Sequence, residues 1–204
     1  MEVVSSLLGF GGHGALDPDY VCIHETAGPG APALNIVSWW RGGGGLPVHY
    51  VGDWTGKCYH CVPEDELCWQ VGDGNAHVVG IELCHATNRA DFEATWKLGV
   101  EWAAWQLSKR GWSTERLISH RMAAETWGGS DHTDPDGYFA EFGRTWEDFV
   151  GDVGRALASG SSDTEDEMYC IFQPNGEDRL VYYDGHACHP LAHLLFGKTQ
   201  VLRT

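Results

Sequence analysis

Over the first 158 residues, short apolar runs alternate with segments of helical period. Tyr20-Val21-Cys22-Ile23-His24 is an apolar run that closes on a polar residue, the pattern of a buried strand. Pro32 suits the first turn of a helix carrying Leu34, Ile36, Val37, Trp39 and Trp40, which Gly42 to Gly45 stop abruptly. Residues 48–53 and 57–62 predict a hairpin about Trp54-Thr55-Gly56. Residues 78–84 predict another apolar strand with one carboxylate, Glu82, inside it. Between residues 91 and 110 the period changes. Phe92, Trp96, Val100, Ala103, Ala104 and Leu107 recur at helical spacing, which predicts a helix roughly 30 Å long, capped by Gly111. Leu117-Ile118-Ser119-His120 predicts one more strand, followed by a long polar loop to Pro135, and residues 146–157 a closing helix. Strands mixed with helices in this order imply an α/β fold: a central mixed β-sheet flanked by helices on both faces.

Beyond this domain, residues 159–167 are small, polar and acidic, the composition of a linker. Residues 168–172 and 179–183 then bracket Pro174-Asn175-Gly176, which predicts a small C-terminal β-hairpin appendage. The appendage, residues 168–204, is below the size that folds alone, so it is expected to dock, bind metal or oligomerise. Its His186, Cys188, His189 and His193, with Cys170 across the hairpin, could form a Cys/His site; ordinary packing of a docked tail is the alternative.

Composition narrows the function. The chain has 204 residues, 43% hydrophobic and 21% charged, which sustains a packed core. Its 13 Lys and Arg face 29 Asp and Glu, a formal charge of −16, which opposes electrostatic capture of nucleic acid. No run reaches the roughly 18 apolar residues of a membrane span, so membrane insertion is not expected. The start, Met1-Glu2-Val3-Val4, lacks a basic n-region and long apolar segment, so a cytoplasmic protein is expected. Seven Cys, an odd number in a chain of this length, suggest free and mostly buried thiols. Cys58-Tyr59-His60-Cys61 with Cys68 invites a second zinc site, but two Cys three apart in a strand point to opposite faces.

Several strands end in, or carry, an acid–base or metal-binding side chain: His24, Glu82 and His120, with His132 and Asp134 on the following loop. Two imidazoles and one carboxylate with an open fourth position make a hydrolytic zinc site, which polarises carbonyls and activates water. Scattered residues of this kind have no local metal spacing, and composition alone does not license the reading. The surrounding words do more. Val21-Cys22-Ile23-His24-Glu25-Thr26, His49-Tyr50-Val51, Val79-Gly80-Ile81-Glu82-Leu83-Cys84, Ser119-His120-Arg121 and Ser130-Asp131-His132-Thr133-Asp134-Pro135 occur in this order. The succession resembles the zinc-dependent N-acetylmuramoyl-L-alanine amidases of the amidase-2 family, which includes peptidoglycan-recognition proteins and phage endolysins. It is most similar to endolysins of phages infecting actinobacteria, over roughly residues 16–155.

This resemblance implies that His24, His120 and Asp134 are the Zn2+ ligands, in a cleft at the sheet edge. It implies Glu82 as general base and His132 at the oxyanion-stabilising position where many relatives have Lys. With His there, activity is expected to depend more on pH. Three departures stand out. Val48 occupies the position of a catalytic Tyr in some relatives, and Tyr50 is better read as a core aromatic. Trp69-Gln70 stands where many relatives have Trp-His, and His77 is a candidate substrate contact in its place. Asp134-Pro135-Asp136-Gly137 carries one residue more than the usual Asp-Pro-Gly. Trp39 and Trp69, near glycine-rich loops, are further candidates for substrate binding, with packing roles as the alternative.

The resemblance thus implies a peptidoglycan hydrolase that cuts the amide between N-acetylmuramic acid and L-alanine of the stem peptide. As an endolysin it would accumulate in the host bacterial cytoplasm and reach the wall by holin-mediated release. Its partner is bacterial peptidoglycan, and its oligomeric state is left open. The rivals are a non-catalytic peptidoglycan-binding module, against which the third ligand Asp134 argues, and a cytoplasmic amidase that recycles muropeptides.

Overall fold

The computed structural model describes residues 1–162 and the backbone of three short strands beyond them. The chain divides into two compact units, Met1–Leu157 and Ala158–Thr204. The first is built on a six-stranded sheet of β1 (Glu2–Ser5), β2 (Tyr20–Glu25), β3 (Tyr50–Gly52), β4 (Lys57–His60), β5 (Val78–Leu83) and β6 (Leu117–Ser119). Their order is β1-β4-β3-β5-β2-β6, and every neighbouring pair is parallel except the β3–β4 hairpin. The sheet is therefore mixed, as the alternation of strands and helices implies.

Alternation along the central strands assigns their side chains to two faces. Val21 and Ile23 of β2 and Val79, Ile81 and Leu83 of β5 enter the largest apolar cluster, with Phe92, Trp96, Trp102, Phe139 and Phe149. This side is covered by α2 (Arg89–Ser108), α4 (Asp136–Glu141) and α5 (Trp146–Ser162). Asn88 starts α2 by accepting a hydrogen bond from the Asp91 amide at 3.0 Å. The opposite side carries two smaller clusters. One joins α1 (Ala33–Arg41) to Val48, Val51, Cys61 and Cys84; the other joins α3 (His120–Trp127) to Cys22, Val71, Val78 and Ile118. Cys58 packs in the large cluster and Cys61 in the α1 cluster, so the two thiols serve different faces. Tyr50 is a core residue, with its hydroxyl donating to Glu64 at 2.6 Å.

The structure corrects the expected layout in five places. The stretch after His120 is not simply a loop, because α3 begins at His120 itself, with the Ser119 hydroxyl accepting from the Met122 amide at 3.1 Å. A short α4 follows Pro135, and a 3₁₀ segment, Gly72–His77, precedes β5. An exposed strand, β1, pairs with β4 where the sequence offers no alternation. Helix α5 continues to Ser162, so the first residues of the expected linker are helical. In the second unit β7 (Cys170–Phe172) and β8 (Val181–Tyr183) pair antiparallel, and β9 (Cys188–Pro190) adds to β8. The side chains of the expected tail Cys/His cluster lie outside the described residues.

Candidate metal centre

The face between α1 and α3 is where apolar packing stops. Cys22 and Val78 are buried there, but His24 and Glu82, paired in register on β2 and β5, present polar groups to the same space. His120, the first residue of α3, comes to this space from the end of β6. Asp134 is delivered by two ties. The Arg121 amide donates to the Asp134 carbonyl at 3.1 Å, and Asp134 Oδ2 accepts from the Glu25 amide at 3.1 Å. An ion pair between Arg121 and Asp136 holds the same turn against α3. The cleft thus opens at the carboxyl ends of interior strand β2 and edge strand β6.

His24, His120 and Asp134 converge: one nitrogen or oxygen from each lies within 4.8 Å of the others, the one such metal-capable group found among the described residues. His24 Nδ1 and His120 Nδ1 are 3.0 Å apart, and Asp134 Oδ1 is 3.1 Å from His120 Nδ1. His120 Nε2 is 3.0 Å from the Ser130 hydroxyl, which can accept its proton and leave Nδ1 as the free lone pair. Burial lowers the pKa of His24, which favours the neutral imidazole a metal requires. Burial alone would raise Asp134, but the neighbouring His120 and His24 rings outweigh it and hold the carboxyl far below its usual range. Two imidazoles and an ionised carboxylate, facing one point from three chain segments, fit the donor set of a catalytic zinc site.

Around them is a cleft of about 530 Å³, lined among others by Glu82, Trp69, Gln70, Ser130 and His132. Glu82 Oε2 is enclosed and has no hydrogen-bond partner. Burial, reinforced by the charges of Asp134 and Glu25, pushes its carboxyl up to about 8. His132 is 65% exposed at the rim, with Nδ1 3.5 Å from Asp134 Oδ1. An adjoining apolar lobe of about 440 Å³ shares Glu82, Ala27 and Leu46 with the cleft and is lined further by Ile36, Trp39 and Trp40. Of the candidate substrate contacts, Trp69 lines the cleft and Trp39 the lobe. His77 does neither. The 3₁₀ turn directs it away, where its ring stacks on Trp127 at 5.0 Å and its Nδ1 meets Asp19 at 2.8 Å.

Residues 14–137, more than half of the chain, match the family model described as N-acetylmuramoyl-L-alanine amidase. The chain belongs to this family. It is 28% identical over 114 residues to the N-acetylmuramoyl-L-alanine amidase XlyB of Bacillus subtilis, covering 52% of this chain and 35% of that protein. It is 24% identical over 162 residues to the endolysin of Listeria phage A511, covering 72% of this chain and 47% of that one. The chain therefore spans less than half the length of these curated relatives. Among solved structures, the Staphylococcus aureus hydrolase AmiA in complex with its ligand superposes with a TM-score of 0.73 at 20% identity, over 81% of this chain and 87% of that one. The catalytic domain of XlyA gives 0.61 at 22% identity, over 76% of this chain and all of that domain. These likenesses show the amidase fold.

Among the polar residues of the cleft that the sequence did not point to are Glu25, Gln70, Asn75 and Ser130. Ser130 lies inside the Ser-Asp-His-Thr-Asp-Pro word, and Gln70 stood out only as a departure from the family pattern.

Proposed function

We propose that the protein is a peptidoglycan hydrolase that cleaves the amide between the lactyl group of N-acetylmuramic acid and L-alanine of the stem peptide, with zinc held by His24, His120 and Asp134. The convergence of these three side chains beside an enclosed, unpartnered Glu82 carries the reading. Zinc in this position supplies Lewis acidity toward a carbonyl and toward water. Glu82 faces the same space, takes the proton of the attacking water and returns it to the nitrogen of the departing L-alanine. A carboxyl with a raised pKa suits the second of these transfers. His132 at the rim donates an N–H to the developing oxyanion.

Trp39 and Trp69 bind the remainder of the substrate on either side of Glu82. Trp39 is 57% exposed, yet its ring lies against Gly44 and Gly45, where an added Cβ would come within 2.0 and 2.3 Å of indole atoms. Trp69 is 52% exposed and stacks on His13 at 3.7 Å, nearly parallel. Each indole is supported on one face and offers its other for stacking against a sugar or packing against a peptide.

The similarity to a phage endolysin supports a lysin that resides in the host cytoplasm and reaches the wall on holin-mediated release, with residues 168–204 as an accessory element. Intact sacculi and soluble muropeptides, offered in parallel, test this. A lysin solubilises sacculi; cleavage of soluble muropeptides alone would assign a recycling enzyme, and retention on uncut sacculi a binding module.

A further inference from the structure

Besides Glu82 Oε2, two buried polar atoms near the metal centre have no partner: His24 Nε2 and Gln70 Oε1. They border one gap. A Cβ added at Gly80 would lie 2.0 Å from Gln70 Oε1 and 3.2 Å from His24 Nε2, so the missing side chain of Gly80 is what leaves the space between them open.

The surrounding hydrogen bonds fix which groups face that gap. His49 Nε2–H donates to the Glu66 carbonyl at 2.9 Å, and His49 Nδ1 accepts from the Gly80 amide at 3.1 Å, which settles the His49 tautomer. Gln70 Nε2 donates to the Val78 carbonyl at 3.1 Å, with His49 Nδ1 a second acceptor at 3.4 Å. The amide nitrogen is thus committed, and Gln70, only 9% exposed, presents its oxygen to the gap. His24, with Nδ1 turned to His120 and Asp134, must carry its proton on Nε2 when Nδ1 ligates a metal. One orphan is then a donor and the other an acceptor.

We infer that Gln70 is a positioning residue for the metal centre: its Oε1, unbonded in this structure, accepts the His24 Nε2–H once the space above Gly80 closes, and so holds His24 in the tautomer that directs Nδ1 at the metal. This inference rests on the metal reading proposed above, and the tautomer of the metal-free chain gives it a readout independent of zinc. It gives a role to the Trp69-Gln70 departure: the amide acts behind a ligand rather than on substrate.

Two variants isolate the acceptor. Gln70→Met and Gln70→Glu both lose the donor to Val78, but only Gln70→Glu keeps an oxygen for His24. Zinc affinity is measured by competition with a chromophoric chelator, and the His24 tautomer of the metal-free protein by long-range 1H–15N correlation. Thermal unfolding controls for folding. The expected result is a 10–100-fold loss of zinc affinity in Gln70→Met, the scale usual for partners that orient a ligand. Gln70→Glu is expected to bind zinc at least as well as the native chain. His24 is expected as the Nε2–H form in the native chain and as a mixture in Gln70→Met. If Gln70→Met does not fold, Gly80→Ala, which displaces the amide oxygen, is expected to give the same loss and the same mixture. Native affinity with an unchanged tautomer in a folded Gln70→Met or Gly80→Ala would overturn the inference. A native chain that binds no zinc would overturn the zinc reading instead, and the tautomer measurement would still decide the role of Gln70.

Discussion

The two faces of the same central strands do opposite work. On β5, Val79, Ile81 and Leu83 enter a cluster of large aromatic and aliphatic side chains under α2, α4 and α5. The residues between them, Gly80 and Glu82, face a space where packing is deliberately incomplete and where Glu82 Oε2, Gln70 Oε1 and His24 Nε2 are enclosed without partners. Unmade hydrogen bonds in buried groups cost about 1–3 kcal/mol each. The packed face supplies the stability that lets the other face keep such groups, so substitutions on the two faces should separate stability from activity.

The largest expected effect is on the cleft face. His24→Ala or Asp134→Ala should lower amide hydrolysis by roughly a thousandfold or more, with loss of bound zinc by elemental analysis and a fold retained by circular dichroism. Next comes a matched pair. Glu82→Gln should lower kcat by roughly 10²–10⁴-fold. Because burial raises the Glu82 pKa, the folded chain loses stability as pH rises toward about 8, and the neutral amide should leave the Tm of the metal-free protein at pH 8 equal or higher. Phe149→Ala on the packed face should do the reverse, lowering stability by about 3–5 kcal/mol in denaturant titrations while the folded fraction retains its specific activity. A Glu82→Gln protein that unfolds more easily than the native chain would erase the contrast.

A smaller effect belongs to neither face. Glu64 is desolvated, yet hydrogen bonds from Lys109, Tyr50, Gln106 and Arg110 outweigh burial and lower its pKa from 4.5 to about 2. A depressed carboxyl stabilises the fold above its unfolded pKa, and that contribution is lost as pH falls from 4.5 through about 2. Glu64→Gln should therefore cost about 2 kcal/mol at neutral pH and flatten the acid limb of a stability–pH curve. The smallest effect is Trp39→Ala, a severalfold rise in KM with kcat little changed, as for binding shared by ground and transition states.

The strands and the long helix were legible because each buries one side or all of itself. Residues 78–84 are apolar apart from Glu82, and the period from Phe92 to Leu107 matches α2. What escaped has weak burial. Strand β1 is mostly exposed, and α3 buries only His120 and Ala123, so neither leaves a period to read. His24, Glu82, His120 and Asp134 were legible through the ordered words around them, and the structure brings the four to one cleft. His77 was misplaced because sequence proximity to Gln70 says nothing of direction, and the 3₁₀ turn between them points it at Trp127 and Asp19. Gln70 was read as a lost imidazole; its significance lies in an unpaired oxygen facing His24 across Gly80, a relation between three chain segments that no local pattern encodes.

The most direct test of the function is mass spectrometry of purified peptidoglycan after digestion, with a parallel sample from which zinc has been stripped by chelation. Free stem peptides that begin with L-alanine, lost on chelation and restored by added zinc, are the expected result. Sacculi left uncut by a folded, zinc-supplemented protein would contradict it.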